Sequence, residues 1–521
     1  MQRSSHGSEA EGSGWASEIG PAVHERSLAE LSGEMARGGL TSEAAVRAYG
    51  ERIRALDHSG PHLGSVIELN PDALEDARAL DAESRASGPR GPLHGVPILL
   101  KDNIATADRT RTAAGSLALA ESSALRDSGV AERLRASGAV LLGKANMSEW
   151  ANFRSTRSVS GWSGRGGQCR NPHALDRSPS GSSSGSGVAT AASLCAAAVG
   201  TETDGSIVGP SSANGVVGFK PTVGLVSRAG IIPIAHSQDT AGPMARTVED
   251  AVLLLAAMQG ADPNDPASAN VPAGAFVDAA DVLQPGGLDG VRLGVIRGFV
   301  DSHPEVELQF TALLEVLRAA GAHLVDDLAM PHLSEWRAAE REVLLYEFKH
   351  GVNAYLEDLP SGGQPRTLAQ VIEFNSANAG RSMPFFGQEL LFSAQAKGPL
   401  TDPAYLEALA ASRRMCREDG IDALLTAHRL DALICPTMGP ASLIDHVYGD
   451  AKRPLSSAAS PAAVAGYPHA TVPAGFVHGL PWGMSIFGTA WRDAAVLRYA
   501  YAFEQATKAR RAPRLLETAL G

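Results

Sequence analysis

Apolar and polar positions follow two periods along this chain, and the switches between them mark its elements. Apolar residues three and four apart predict a helix over Leu28 to Ala36. A second helix is predicted after Thr41, a threonine placed to cap it, through "SEAAVRAYGERIRAL". A short apolar run, Val96 to Leu100, then stops abruptly on Lys101-Asp102, as a strand buried on both faces would. "GAVLLGKANM" (Gly138 to Met147) repeats that pattern after the helical "SGVAERLRASG". From Ser186 to Val199 the chain is mostly Ala, Ser, Val and Leu, which predicts a helix able to lie close to its neighbours. Pro, Asp and Gly dominate residues 260–290, the expected linker loop between the first half and a more variable region over 300–430. Strand and helix resume with "VRLGVI" and "EVELQFTALLEVLRAAGAHL", followed by a long helical region from Pro403 to His428. "LDALICPT", "ATVPAGF" and "WGMSIFG" predict three late strands. The alternation argues for an α/β fold with a largely parallel or mixed sheet covered by helices, and no internal repeat is present.

Composition adds a few exclusions. With 44 % apolar and 20 % charged positions among 521 residues, the chain can bury a sizeable core. The formal net charge of -12 argues against a general nucleic-acid binder, whose affinity rests on clustered Lys and Arg. The basic group Lys508, Arg510 and Arg511 reads as the solvated end of a C-terminal helix. No apolar run is long enough to span a bilayer, so no membrane partner is expected. The polar first 20 residues lack the apolar core of a secretory signal; residues 1–25 read as a disordered tail and the cytoplasm as the location. Four cysteines without a CxxC pair argue against a cysteine metal site and a disulfide framework.

The chemistry gathers in "SPSGSSSGSGVATAASLCAAAVGTETDGSIVGPSS", Ser178 to Ser212. A flexible linker would not run straight into an alanine-rich helix. A phosphate cradle would suit Gly181, Gly185 and Gly187 before a helix, but the lysine of a P-loop is missing: Val188 follows Gly187. Gly181-Ser182-Ser183-Ser184-Gly185 formally fits G-x-S-x-G, which would nominate Ser183 as a nucleophile served by His469 or His478. A stronger set joins Lys101, at the end of its apolar run, with Ser182 in the first Gly/Ser loop and Ser206 in the second. A serine needs a base, and a lysine serves as one only when burial keeps it neutral.

That set resembles the amidase signature family. "SGSSSGS" and "GTETDGSI" are similar to its two catalytic motifs, and "HGVPILLKDN" to its lysine-bearing strand. "VVGFKPTVGLVSRAGIIPIAHSQDTAGPMART", "LICPT" and "AGYPHATVPAGFVHGLPWGMSIFG" extend the likeness over roughly Ser27 to Pro513. The resemblance implies a large mixed β-sheet covered by helices on both faces, within a single catalytic domain over residues 26–515. It implies Ser206 as nucleophile, Ser182 as a bridging serine behind a cis Gly181-Ser182 bond, and Lys101 as base. The backbone N–H groups of Thr203, Asp204, Gly205 and Ser206 would form the oxyanion hole. Asp102 must then turn its carboxylate away from Lys101, or it would hold the proton there.

One departure narrows the likeness. Asp204-Gly205 and Val208 stand where the A subunit of glutamyl-tRNA amidotransferase has Gly-Gly and Arg; with "NMSEWANFRSTRSVSGWSGRGGQCRNP" and "YEFKHGVNAYL" the pattern resembles bacterial peptide amidases. These release ammonia from C-terminally amidated peptides, which implies a peptide amide as substrate. Asn152, Ser183, Trp150 and Phe153 are then candidate substrate contacts, with Trp162 beside them and Asp204 holding the turn. No metal and no cofactor is implied, since the three residues supply their own base and electrophilic hole. Aryl, aliphatic, oligoamide or carbamate substrates stay open as alternatives, and more distantly a non-catalytic or nucleotide-binding protein. The oligomeric state is not encoded in these patterns.

Overall fold

The structure is a computed structural model that describes residues 18–298, 303–333, 335–360, 362–450 and 457–519. Its strands are β1 (Val66–Leu69), β2 (Pro97–Lys101), β3 (Val140–Ala145), β4 (Trp162–Ser163), β5 (Gly167–Gln168), β6 (Ala197–Glu202), β7 (Val217–Lys220) and β8 (Thr240–Ala245). Five more follow: β9 (Arg292–Ile296), β10 (His323–Leu328), β11 (Ala432–Pro436), β12 (His469–Val477) and β13 (Leu480–Phe487). Eleven of them form one sheet in the order β1-β3-β2-β6-β8-β7-β12-β13-β11-β9-β10, while β4 and β5 make a separate ribbon. The sheet is mixed. Parallel groups β3-β2-β6 and β11-β9-β10 flank an antiparallel centre of β8, β7, β12 and β13.

Helices cover both faces. Ser184–Ala191 and Val208–Ala213 touch each other and the strands around β6 and β7. A second layer, Val248–Met258, Pro304–Ala319 and Asp493–Thr507, packs against the strands and against itself. Every residue of β2, β3, β6 and β8 is buried, as strands enclosed on both faces require. Thr41 caps its helix as expected, its hydroxyl accepting from the Ala44 N–H. Among the described residues no helix is long and apolar enough to cross a membrane, and all four cysteines are buried free thiols.

Three sequence expectations are revised. The alanine-rich run is not one helix over Ser186 to Val199: the helix ends at Ala191, Ser193 turns left-handed at φ 55°, and β6 begins at Ala197. Two buried arginines take up the carbonyls freed at this break. Arg52 bonds Ala192 (3.0 Å) and Ser193 (2.8 Å), and Arg246 bonds Thr190 (3.1 Å) and Cys195 (2.9 Å). The Pro403 to His428 region breaks at Arg417–Ile421, where Gly420 leaves helical geometry. Of the expected tail, residues 1–17 lie outside the described residues; beyond them Val23 is fully buried. Arg510 is not a solvated charge, because it pairs with Glu25 at 2.5 Å. Within residues 260–290, Asp265 pairs with Arg228 at 2.6 Å and Gln259 Nε2 donates to the Val277 carbonyl at 2.8 Å.

Candidate active site

Strands β2 and β6 run parallel as neighbours, with Ile98, Leu99 and Leu100 opposite Ala197, Ala198 and Val199. Their carboxyl ends therefore meet, the edge at which open α/β sheets place ligands. Lys101, the last residue of β2, is fully buried there. Its Nζ donates to Ser182 Oγ at 2.8 Å, to Thr201 Oγ1 at 2.9 Å and to the Thr201 carbonyl at 3.1 Å. Asn103 Nδ2 braces the same threonine hydroxyl at 3.1 Å. Ser182 precedes the helix Ser184–Ala191 and follows a cis Gly181-Ser182 bond. Ser206 lies on the turn leaving β6, and the Ser183 N–H donates to its carbonyl at 3.1 Å, which joins the two loops.

The turn itself is held from all sides. Glu202 Oε2 accepts from the Ile207 and Val208 N–H groups at 2.7 and 3.0 Å. Gln238 Nε2 donates to the Thr203 carbonyl at 3.1 Å, and the Thr203 hydroxyl donates to Asp239 at 2.5 Å. Asp239 in turn accepts from the N–H groups of Ile234 and Ala235, both at 2.9 Å. Asp204 accepts from the Ser460 hydroxyl at 2.8 Å. Gly205 sits at φ +82°, where a side chain is strained. None of the N–H groups of Thr203, Asp204, Gly205 and Ser206 finds an acceptor among the described residues. A turn with four consecutive uncommitted donors has the groups that binding an anion requires.

Burial disfavours the Lys101 ammonium and lowers its pKa to about 7, against the opposing pull of Asp239 and Glu202. Burial raises the Asp239 carboxyl to about 6, so that pull fades only as pH falls through that value. Asp102 does turn away: it accepts from Arg165 at 2.6 Å and from the Gly115 N–H at 2.8 Å. The lysine is thus surrounded by neutral hydroxyls and a carbonyl.

A cavity of 510 Å³ adjoins this end of the sheet, with Asn103, Thr201, Thr203 and Asp239 in its wall. Of the expected substrate contacts, Asn152 lies beside the serine loop. It has a left-handed backbone (φ 69°), and a methyl at Gly181 would stand 3.1 Å from its Nδ2. That Nδ2 donates to Ser160 Oγ at 3.1 Å, while its buried Oδ1 has no partner among the described residues. Trp150 and Phe153 instead pack on Phe348, with ring centroids 6.0 and 5.0 Å away. Trp162 stacks edge-on against Phe385 and Phe386.

Ser183 is engaged within the fold. It is fully buried, and its hydroxyl is committed to Thr201, donating to the carbonyl at 3.0 Å and accepting from the N–H at 3.2 Å. It pins the loop to β6, and its one proton is spent there. The same contacts remove it as a nucleophile: His469 bonds Ser485 at 2.6 Å, and His478 lies beside Glu305. Nor is the glycine loop a phosphate cradle. The Gly185 N–H is taken by the Asn146 carbonyl at 2.9 Å, and a Cβ there would stand 2.3 Å from the Ser65 carbonyl. Thr201 and Glu202 lie in "GTETDGSI", Gln238 and Asp239 in "AHSQDTAG" and Asn103 in "HGVPILLKDN", but nothing in those stretches singled these side chains out.

Comparison with known proteins agrees with this architecture. Residues 44–497 match the family profile described as Amidase. A probable amidase of Arabidopsis thaliana is 41% identical over 492 residues, covering 92% of this chain and 89% of that protein. The native peptide amidase from Stenotrophomonas maltophilia superposes with a TM-score of 0.89 at 50% identity, covering 94% of this chain and 98% of the other. A peptide amidase in complex with the competitive inhibitor chymostatin gives 0.90 at 50% identity, over 94% and 99% of the two chains. Sheet, helical layers and matched residues together establish that the chain is an amide-hydrolysing enzyme and belongs to the amidase family.

Proposed function

We propose that this enzyme hydrolyses the C-terminal carboxamide of peptides, releasing ammonia, through a Ser206-Ser182-Lys101 relay. The observation that carries the reading is a buried lysine 2.8 Å from Ser182, next to a turn whose N–H groups are uncommitted. A neutral Lys101 amine has two N–H bonds and one lone pair. The carbonyl and hydroxyl of Thr201 engage the two N–H bonds, which leaves the lone pair for the Ser182 proton. Ser182, both donor and acceptor, draws the proton from Ser206 as the Ser206 oxygen bonds to the amide carbon. The N–H groups of residues 203–206 receive the oxyanion. As the C–N bond breaks, Lys101 returns the proton through Ser182 and ammonia departs. Water, deprotonated by the same route, then releases the peptide acid and frees Ser206. Asn152 Oδ1 is suited to accept an N–H of the peptide backbone.

The substrate class is supported by the likeness to peptide amidases. The test is ammonia release from a blocked dipeptide amide by wild type, Ser206→Ala and Lys101→Ala. Ammonia from wild type alone, with the internal peptide bond intact, is the expected result. Activity surviving Ser206→Ala would sink the relay; turnover of an anilide or carbamate with none of the peptide amide would keep the relay and change the substrate.

A further inference from the structure

Gln238 holds two partners through one amide nitrogen. Its Nε2 donates to the Thr203 carbonyl at 3.1 Å and to Glu340 Oε1 at 3.1 Å. The Thr203 carbonyl and the Asp204 N–H belong to one planar trans peptide, so the two point in opposite directions. Gripping the oxygen therefore aims the N–H. Glu340 reaches this point from the helix Trp336–Glu357 and is buried. Its carboxyl also meets that of Asp204, whose other contact is the Ser460 hydroxyl. Two carboxyl groups bond to each other only when one of them keeps a proton.

We propose that Glu340 is a positioning residue for amide hydrolysis: as a neutral acid it donates to the Asp204 carboxylate and accepts from Gln238, fixing the 203–204 peptide toward the oxyanion. The inference rests on reading the 203–206 turn as the oxyanion hole. The surrounding charges favour one retained proton. Burial and then the Asp204 charge push the Glu340 carboxyl well above the usual range, while burial raises Asp204 to about 6. Glu202, at the end of β6, adds a further negative charge facing Asp204. Arg337, on the same helix as Glu340, is the cation facing the pair; Cys416 faces it from Pro403–Cys416 as a thiol that burial keeps protonated. Loss of the shared proton as pH rises would set two carboxylates against each other, and their repulsion would turn the peptide off its aim.

The test compares kcat, KM and the pH profile of Glu340→Gln and Glu340→Ala on a peptide amide, with Ser206→Ala alongside. Glutamine can accept from Gln238 and donate to Asp204 but cannot ionise. Glu340→Gln is expected to keep kcat at pH 7 within about threefold while losing the alkaline fall of the wild type. Glu340→Ala is expected to lower kcat by on the order of tenfold or more with KM within about twofold. A wild type with no fall as pH rises, an alkaline limb unchanged in Glu340→Gln, or wild-type kcat in Glu340→Ala overturns the proposal. Should Glu340→Ala fail to fold, the Glu340→Gln profile decides alone. Ser206→Ala reports on the reading beneath: if it stays active the oxyanion-hole assignment falls, and if it is silent the Glu340 variants judge this proposal by itself.

Discussion

Lys101 works against its own stability. An amine fully removed from water favours its neutral form, and here that preference brings the pKa from 10.5 to about 7. Because the proposed relay needs the neutral amine, kcat/KM should climb about tenfold per pH unit on the acid side, level off above about 7, and fall again only where the Glu340–Asp204 pair loses its proton. A pH-rate profile checks this; a rise centred at an ordinary carboxylate pKa would point to a different base. The linkage to folding has a definite sign. The unfolded chain holds the lysine proton up to about 10.5 and the folded one only to about 7, so carrying Lys101 costs most below 7 and less as pH rises. The placement of Asp102 matters equally: facing Arg165 and Gly115, it leaves the lysine without a carboxylate in contact.

At the scale of elements, the segment that carries Asn152 depends on one buried ion pair. Glu149 and Arg154 are at most 1% exposed and bond each other at 2.5 Å. Arg154 also bonds the carbonyls of Ser382 and Phe386, and Glu149 accepts the Gly164 N–H at 2.6 Å. Arg154→Met would strand a buried carboxylate and should destabilise the fold by about 3–5 kcal/mol, measured by urea unfolding. Pairing it with Glu149→Gln, which removes the stranded charge, should recover part of that loss. If single and double variants lose equally, the pair is not what holds the segment. Helix starts were legible at this scale, since a cap such as Thr41 bonds within its own turn. The break at Ala192 and Ser193 was not, because a run buried on every side shows no period and the arginines answering its carbonyls lie at positions 52 and 246.

Across the whole molecule, chain regions far apart in sequence are clasped together. Glu25 meets Arg510 at 2.5 Å and accepts from the Ser193 hydroxyl at 2.8 Å, beside the end of the helix Ser184–Ala191. Burial would raise the Glu25 carboxyl, but Arg510 more than offsets this and holds it at about 2. Its folded pKa lies below its ordinary value of 4.5, so the clasp stabilises above that pH and fades as pH falls toward 2. Arg510→Ala should therefore cost about 2 kcal/mol at pH 7 and visibly less at about pH 3.5, read from urea unfolding at both pH values. A pH-independent difference would show that Arg510 acts by packing alone.

The sequence by itself determined the α/β alternation, the strands β2, β3, β9, β11, β12 and β13, and the motifs that nominate Lys101, Ser182 and Ser206, because each lies in a local pattern of period, turn or motif. Only the tertiary structure decided which side chains those patterns bring into contact. Ser183 and Ser182 are neighbours of identical chemistry, yet one hydroxyl faces Lys101 and the other is spent on Thr201, a choice made by how the loop enters its helix. Gln238 sits unmarked in a family-like run and Glu340 in an ordinary helix, and the two meet at the turn only when the helix Trp336–Glu357 docks over it. Short-range periodicity records what each residue wants buried; which partner it is buried against is set by packing between elements hundreds of residues apart.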